Sequence, residues 1–220
     1  MKESFSNLRV TINKTLEECE KSLFSFKKNE EALNALELTS QVLVRTIKAG
    51  GKILTCGNGG SMSDAMHMAE EFSGRFRENR RPLAAMALSD PAHMTCVAND
   101  FGYEKVFSRM VEALGRKEDC LVAISTSGRS SNIIEAARKA KELGIKVIIL
   151  TGRKNSTLSN FCDYEICTES ESKYADRIQE LHIKCIHILL ELCENLLFTE
   201  NSLKSNLSQE PVNVERTNNF

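Results

Sequence analysis

Apolar residues recur every three or four positions along the first part of the chain, which is the spacing of one face of an α-helix. Two such series are present: Leu8, Ile12, Leu16, Cys19 and Leu23, and then Leu33, Leu36, Leu43 and Ile47. Gly50 and Gly51 follow the second series, and glycine commonly ends a helix. The pattern therefore predicts that two amphipathic helices open the chain.

Short apolar runs alternate with amphipathic stretches from residue 52 onward. The runs predict five β-strands, at residues 52–56, 83–88, 120–125, 146–150 and 163–168, with residues 83–88 expected as a buried strand. Helical spacing is clear at residues 63–72 and 132–143, and Gly144 ends the second of these stretches. Strands that alternate with helices indicate an α/β fold, with a parallel sheet covered by helices on both faces.

The segment from residue 174 to residue 198 carries two neighbouring apolar stripes on a predicted helix. The stripes are Ile178, Leu181, Cys185, Leu189, Leu192 and Leu196, and beside them Ile183, Ile186, Leu190, Cys193 and Leu197. A helix that is apolar over so wide an arc is buried on two sides. Together with the two N-terminal helices, we expect it to pack a bundle against other copies of the chain, although a purely internal core helix is the alternative.

Length and composition restrict the class of protein. The 220 residues predict one domain, residues 1–200, followed by a polar tail at residues 201–220 that is rich in Asn and Ser. The net charge of -1 argues against a general nucleic-acid binder. No signal sequence is apparent, and the longest apolar run, residues 83–88, is far shorter than the ~20 residues of a membrane span. We therefore expect a cytoplasmic protein that is not inserted into a membrane.

The eight cysteines lie mostly within apolar runs. This placement predicts reduced core residues, because free cysteine packs as a small apolar side chain and cytosolic thiols stay reduced. No Cys-x-x-Cys pair occurs, so a structural zinc site built from cysteines is not expected.

Two loops follow predicted strands at the sheet edge where α/β proteins bind ligands. The glycine loop, Gly57-Asn-Gly-Gly-Ser61, suits an anion, because backbone N–H groups and a helix N-terminus point toward it. It is not a dinucleotide fingerprint, since residue 62 is Met, and a tight turn is the alternative.

The serine loop, Ser125-Thr-Ser-Gly-Arg-Ser130, places four hydroxyls around one glycine. Capping of the next helix would explain one hydroxyl, so the loop predicts phosphate binding.

Several other polar residues are candidates for chemistry, each with a structural alternative. His67 and Glu71 are four apart on a predicted helix and share a face, as surface pairs commonly do. Gln179 and His187 are eight apart on the last helix, within about 80° of each other. Together with Asp176 and His182 they are alternatively polar core residues with internal partners.

Two further groups lie in predicted connections. Asn99 and Asp100 follow the second strand, either at the ligand-binding edge or simply in a turn. The basic cluster of Arg75, Arg77, Arg80 and Arg81 is interpreted as a solvated loop that could also help to neutralise a phosphate.

Five motifs, taken together and in order, resemble the sedoheptulose 7-phosphate isomerases, also called phosphoheptose isomerases, of the sugar isomerase (SIS) domain superfamily. They are residues 57–61, 64–71, 98–102, 124–128 and 175–187, and the match extends over about residues 3–198. The resemblance implies a flavodoxin-like five-stranded fold, a homotetramer and a cytoplasmic enzyme. It also implies interconversion of D-sedoheptulose 7-phosphate and D-glycero-D-manno-heptose 7-phosphate, the first step of heptose supply for lipopolysaccharide or surface polysaccharide.

The resemblance also implies roles for individual residues. Phosphate is expected at Ser125, Thr126, Ser127 and Ser130, and the sugar near Asn58, Gly59, Gly60, Ser61, Asn99, Asp100 and Gln179. Glu71 is expected to contact the substrate as the base that takes the C1 proton, and His187 to act as acid or base at the oxygens. Zn²⁺ is expected on His67, Glu71, Gln179 and His187, a ligand set that zinc accepts although the amide is uncommon.

Two other classes remain open. One is a regulatory SIS-domain protein that binds a sugar phosphate or a replication initiator; relatives of this kind lack the acid and base, whereas Glu71 and His187 are present here. The other is an isomerase of a different phosphosugar, such as arabinose 5-phosphate or N-acetylmuramate 6-phosphate.

Overall fold

Two helices open the chain, as the apolar spacing predicts. In the computed structural model, which describes the backbone of residues 2–199 and the side chains of residues 7–198, α1 spans Lys2–Phe26 and α2 spans Glu30–Lys48. Asn29 begins α2 by accepting a hydrogen bond from the backbone N–H of Ala32 at 3.1 Å. Such a cap satisfies one of the backbone donors that a helix start leaves unpaired. The predicted tail, residues 201–220, lies outside the described residues.

Five parallel strands form one sheet in the order β2-β1-β3-β4-β5. The strands are β1 Ile53–Gly57, β2 Ala85–Ala87, β3 Cys120–Ser125, β4 Lys146–Thr151 and β5 Tyr164–Cys167. This is the flavodoxin-like order, in which the chain reverses direction across the sheet between β1 and β3. The glycine loop follows β1 and the serine loop follows β3, so both loops flank the switch point where such folds bind ligands.

The second strand is shorter and less buried than the sequence predicts. The expected buried strand at residues 83–88 was wrong: only Ala85–Ala87 pair with β1, and Met86 is 43% exposed. Leu83 and Leu88, which flank the strand, are the buried members of the run. β2 is an edge strand with one neighbour, so an apolar run is not required to be buried along its whole length.

Within the described residues there are five further α-helices: α3 Gly60–Ser73, α4 Pro91–Phe101, α5 Val106–Leu114, α6 Ser131–Glu142 and α7 Asp176–Glu194. A π-helical turn, Asn195–Thr199, continues α7. The sequence did not predict α4 and α5. The cap of α4 is Asp90, whose carboxylate accepts from the His93 N–H, and Pro91 occupies the first helical position.

The core lies on both faces of the sheet. α2, α3 and α7 supply one buried cluster, and α5, α6 and Val97 of α4 supply the other. Both stripes of α7 pack largely within the chain itself, so α7 is mainly an internal core helix.

Five of the eight cysteines are buried and all eight are free thiols, which confirms most of them as reduced core residues. Within residues 2–199, no helix is both long and apolar enough to cross a bilayer.

Candidate active site

The glycine loop and the start of α6 are joined by a pair of side-chain amides. Asn58 Nδ2 donates to Asn132 Oδ1, and Asn132 Nδ2 donates to Asn58 Oδ1, each at 2.8 Å. Asn132 is 1% exposed, and buried amides are retained when their hydrogen bonds are satisfied. The sequence analysis did not single out Asn132, because its partner lies on a different loop. The amide pair fixes the glycine loop relative to the helix that the serine loop begins.

The serine loop is shaped by its own hydroxyls. Ser125 Oγ accepts from the Gly128 N–H at 3.2 Å, and Ser127 Oγ accepts from the Arg129 N–H at 3.2 Å. Ser130 stands at the capping position of α6 but makes no side-chain cap hydrogen bond. Helix capping is therefore not what the Ser130 hydroxyl does. Hydroxyls and a helix start together form a surface suited to an anion.

A cavity of about 400 Å³ adjoins the serine loop. Thr126 and Ser127 line it on one side, and Arg153 and Lys173 are among its other lining residues. The two cations outnumber the one carboxylate of the lining, Glu169, and so place net positive charge at the same cavity as the predicted phosphate-binding hydroxyls. Neither cation was singled out from the sequence, because each lies in a connecting segment far from residues 125–130 along the chain.

His67 on α3 and His187 on α7 meet across the two helices. Their Nε2 atoms are 3.0 Å apart, and the rings pack edge to face with centroids separated by 5.3 Å. Glu71 Oε1 lies 3.5 Å from the same His67 Nε2. Phe76 covers the other side of the His187 ring, with centroids 5.6 Å apart. The structure thus brings together three of the predicted site residues.

Gln179 packs against the first residue of α3. A Cβ atom placed on Gly60 would lie 2.1 Å from Gln179 Nε2, so only glycine leaves space for this amide. Gln179 therefore lies beside residue 60 and His187 beside His67, which means that α7 runs alongside α3 in the same direction. The resemblance placed both side chains in one site, but residues 60 and 67 are about 10 Å apart along α3, and no hydrogen bond of the described side chains joins Gln179 to His67, Glu71 or His187.

The donor atoms fit a divalent metal by type and spacing. Two imidazole nitrogens bound to tetrahedral zinc at about 2.0 Å are roughly 3.3 Å apart. The two Nε2 atoms, 3.0 Å apart, are near that separation, with a Glu71 oxygen beside them. Glu70, which the sequence analysis missed, also belongs to a potential metal cluster with His67 and Glu71. Its Oε2 lies 3.7 Å from His67 Nδ1, on the opposite edge of the ring from Glu71. Glu70 is thus placed to orient His67 rather than to share an ion with His187.

Burial shifts the titration of three groups near the helices α3 and α7. Partial burial, with the nearby His67, lowers the pKa of His187, while Glu71 opposes this change. Burial raises the pKa of Asp64 to about 6, against a smaller effect of His67. Burial also lowers the pKa of His182 to about 4. His182 is fully buried, and neither ring nitrogen makes a hydrogen bond of normal geometry, so it is not a core residue with satisfied partners.

Asn99 and Asp100 lie in the last turn of α4 rather than in a turn after β2. Both are exposed, and Asn99 Nδ2 donates to Asp100 Oδ1 at 2.7 Å. The link from this segment to the glycine loop is Tyr103, whose hydroxyl donates to Asn58 Oδ1 at 3.0 Å. Asp176 is also exposed and pairs with Arg177.

The basic cluster is not uniformly solvated. The side chain of Arg80 is 4% exposed, whereas that of Arg77 is 57% exposed. The interpretation of the cluster as a solvated loop was therefore wrong for Arg80. Arg77 pairs with Glu191 of α7, and Arg80 pairs with Glu194 of the same helix. Both glutamates are more than 100 positions away along the chain, so residue spacing could not predict these contacts.

The sequence profile of the SIS domain family matches residues 17–152. That range includes the glycine loop, the serine loop and the first four strands. The doubly wound sheet, the two loops at its carboxyl edge and this match together define the class of the molecule as a SIS domain protein.

Relatives with high identity cover nearly the whole described chain. The phosphoheptose isomerase of Sodalis glossinidius is 51% identical over 187 residues, covering 85% of this chain and 94% of that protein. The one from Cytophaga hutchinsonii is 50% identical over 191 residues, covering 86% and 99%. The solved phosphoheptose isomerase structure from Neisseria gonorrhoeae has a TM-score of 0.79 and 35% identity, covering 86% and 99%. The chain belongs to the phosphoheptose isomerase family.

Proposed function

We propose that this protein interconverts D-sedoheptulose 7-phosphate and D-glycero-D-manno-heptose 7-phosphate through a cis-enediol, and so begins heptose supply for lipopolysaccharide or surface polysaccharide. The observation that carries the proposal is the meeting of His67, Glu71 and His187 across α3 and α7. A protein that only bound the sugar phosphate would need the serine loop but not this cluster. Membership of the phosphoheptose isomerase family supports the same activity.

The serine loop holds the phosphate in this proposal. Ser125, Thr126, Ser127 and Ser130 donate hydroxyl hydrogen bonds, and the start of α6 adds backbone N–H groups. Arg153 and Lys173 at the adjoining cavity contribute countercharge. The sugar then extends toward the polar residues of the glycine loop and α4, with Gln179 beside them. These are Asn58, Gly59, Gly60, Ser61, Asn99 and Asp100.

Glu71 and His187 move the protons. Glu71 removes the proton from C1 of the ketose as a carboxylate, and the carboxyl group so formed, after its proton exchanges with solvent, protonates C2 of the enediol and completes the isomerisation. His187 has a lowered pKa, so at neutral pH its ring is uncharged and can both accept and donate a proton at the substrate oxygens. The Glu71 oxygen and the ring of His187 approach the same His67 nitrogen, so base and acid act on neighbouring atoms of one substrate.

His67, Glu71, Gln179 and His187 would hold a zinc ion. When bound, such an ion polarises the carbonyl and enediol oxygens of a sugar as a Lewis acid. The role of this chain's residues is then to fix the donor atoms on two packed helices, with Glu70 facing the second nitrogen of His67.

We further propose that residues 1–200 act as one SIS domain and that four copies assemble. The exposed apolar side chains of α1, rather than those of α7, support assembly. On one face of α1 they include Leu8, Ile12 and Leu16, each at least 49% exposed. An apolar row of this length on one helix is typical of a surface that another copy covers.

An isomerisation assay with sedoheptulose 7-phosphate tests the function. We expect the parent protein to form the aldose, and His187→Gln to slow turnover by at least about 10²-fold while sugar-phosphate binding survives. Treatment with a chelator, followed by addition of zinc, tests whether turnover needs the metal ion. Loss of turnover and its recovery with zinc would support a zinc site. Binding without any turnover, with zinc supplied, would instead favour the regulatory alternative.

A further inference from the structure

The buried arginine of the basic cluster, Arg80, donates hydrogen bonds from all three nitrogens of its guanidinium. Arg80 Nε donates to Glu194 Oε1 at 2.8 Å, and Nη2 donates to the backbone carbonyl of Glu71 at 2.6 Å. Nη1 is close to three further carbonyls, at 2.8, 2.9 and 3.3 Å; these belong to Phe72, Gly74 and Arg81. A buried side chain that loses its hydration must replace it with such bonds, and each of the three guanidinium nitrogens of Arg80 has at least one acceptor.

Three of the four carbonyls that Arg80 binds, those of Glu71, Phe72 and Gly74, are at the end of α3. A helix leaves its last four carbonyls without partners in the helix, and a cation there also interacts favourably with the helix dipole. α3 ends at Ser73, so Glu71 and Phe72 are two of these residues. Glu71 is also the proposed base. Arg80 therefore binds the backbone of the residue whose carboxylate reaches the site.

The opposite side of the guanidinium is anchored on α7. Glu194 is the last residue of α7, and its side chain is 12% exposed. α7 also carries Gln179 and His187. One side chain from the connection between α3 and β2 thus joins the ends of the two helices that face each other across the site.

We propose that Arg80 is a positioning residue for isomerisation: bound to Glu194 and to the Glu71 carbonyl, it sets the distance between the base on α3 and His187 on α7. The inference rests on the proposed function. Proton transfer is sensitive to placement, and an error of about 1 Å can cost about 10²-fold in rate. The serine loop lies on other elements, so binding of the phosphate does not depend on Arg80.

Arg77 provides a matched comparison. It lies in the same connection and pairs with Glu191 on the same helix, Nη1 to Oε1 at 2.5 Å. That pair is exposed, with side chains 57% and 40% accessible, and exposed pairs contribute little. Arg77→Lys and Arg80→Lys both keep the charge. Only the second removes a fork that binds several carbonyls at once, which a single ammonium group cannot replace.

The test compares Arg80→Lys, Arg77→Lys and Glu194→Gln in the full chain. For Arg80→Lys we expect kcat to fall by about tenfold or more with KM nearly unchanged, and for Arg77→Lys a kcat within about twofold of the parent. Glu194→Gln keeps an acceptor but loses the charge, and should reduce kcat by an intermediate factor. Hydrogen exchange supplies a readout without turnover: backbone amides of residues 70–74 should exchange faster in Arg80→Lys only.

Each result supports or overturns the inference. Equal kcat for Arg80→Lys and Arg77→Lys would overturn it, and so would a rise in KM that matches the fall in kcat. If Arg80→Lys does not fold, Glu194→Gln takes its place in the test. A fall in kcat with KM nearly unchanged would support the positioning role, and an unchanged kcat would overturn it. If the parent protein shows no turnover, the proposed function fails, and unchanged exchange at residues 70–74 would then separately overturn the anchoring role of Arg80.

Discussion

At position 60 the chain has no room for a side chain, because the amide of Gln179 occupies that space. The obstacle is the far end of a flexible side chain, so an added methyl group displaces Gln179 without disrupting the backbone. Alanine also favours a helix more than glycine does. Folding and function therefore make opposite demands on residue 60.

Gly60→Ala should leave thermal stability unchanged or slightly higher while reducing turnover by about tenfold or more, because Gln179 no longer reaches the site. The comparison variant is Gln179→Ala, and the double variant should lose little beyond either single change. Thermal unfolding and the isomerisation assay measure the two effects. Fully additive losses would mean that the two residues act separately.

His182 should make stability fall as the pH falls. Its folded pKa is about 4 against an ordinary value of 6.5, so below pH 6.5 the unfolded chain takes up a proton that the folded chain refuses. At pH 5 this costs roughly 2 kcal/mol, and above about pH 7 it costs nothing. His182→Leu, which removes two unpaired ring nitrogens, should flatten this dependence. Urea unfolding at pH 8 and pH 5 measures the free energy of unfolding of the parent and of His182→Leu. An equal pH dependence in the two proteins would show that His182 is not the group responsible.

At the scale of elements, the serine loop depends on Gly128. Its φ is +62°, and an added Cβ would lie 2.3 Å from Ser156 Oγ. Gly144 is a matched control, because its φ is +73° and an added Cβ would contact nothing within 4 Å.

Gly128→Ala and Gly144→Ala should each lose roughly 1 kcal/mol of stability from the left-handed backbone. Only Gly128→Ala should also raise KM, by about tenfold, because Ser156 must push the serine loop away from the phosphate. Steady-state kinetics and urea unfolding separate these effects. A similar KM for both variants would argue against phosphate binding at residues 125–130.

Elements with strong local patterns could be predicted from the sequence, and those fixed by distant partners could not. The spacing in α2, α6 and α7 located each helix to within a few residues, that in α1 missed its first six residues, and β3 was located to the residue. α4 was missed although Asp90 and Pro91 mark its start, because its apolar face is short and only Val97 is buried. The extent of β2 depends on its position at the sheet edge, which local spacing does not reveal.

The candidate site was predictable to a similar degree. The spacing of His67 and Glu71 on one helix predicts a shared face, and the resemblance added their pairing with residues of α7. The contacts of Arg80 and Asn132 could not be anticipated, because Glu194 and Asn58 approach them only after the sheet is formed. Side chains whose partners lie on other elements carry no local pattern.

At the scale of the whole molecule, α1 determines the proposed assembly. The protein should have a mass of about 98 kDa in solution, four times the 24.6 kDa of one chain. Ile12→Glu with Leu16→Glu places charge within the exposed apolar row and should yield smaller species. Leu143→Glu, at an exposed apolar residue beyond α6, should not. Light scattering measures the masses, and a parent mass of one chain at micromolar concentration would contradict the tetramer.

Glu71 is the proposed base for the substrate's carbon-bound proton, and isomerisation in D₂O followed by NMR tests this role. The parent should place deuterium on C1 of the ketose and C2 of the aldose as the sugars interconvert. Glu71→Gln should reduce both conversion and deuterium uptake by at least about 10²-fold, and Glu70→Gln, the same change one residue away, should cause a much smaller loss. Conversion by Glu71→Gln at the parent rate would show that Glu71 is not the base.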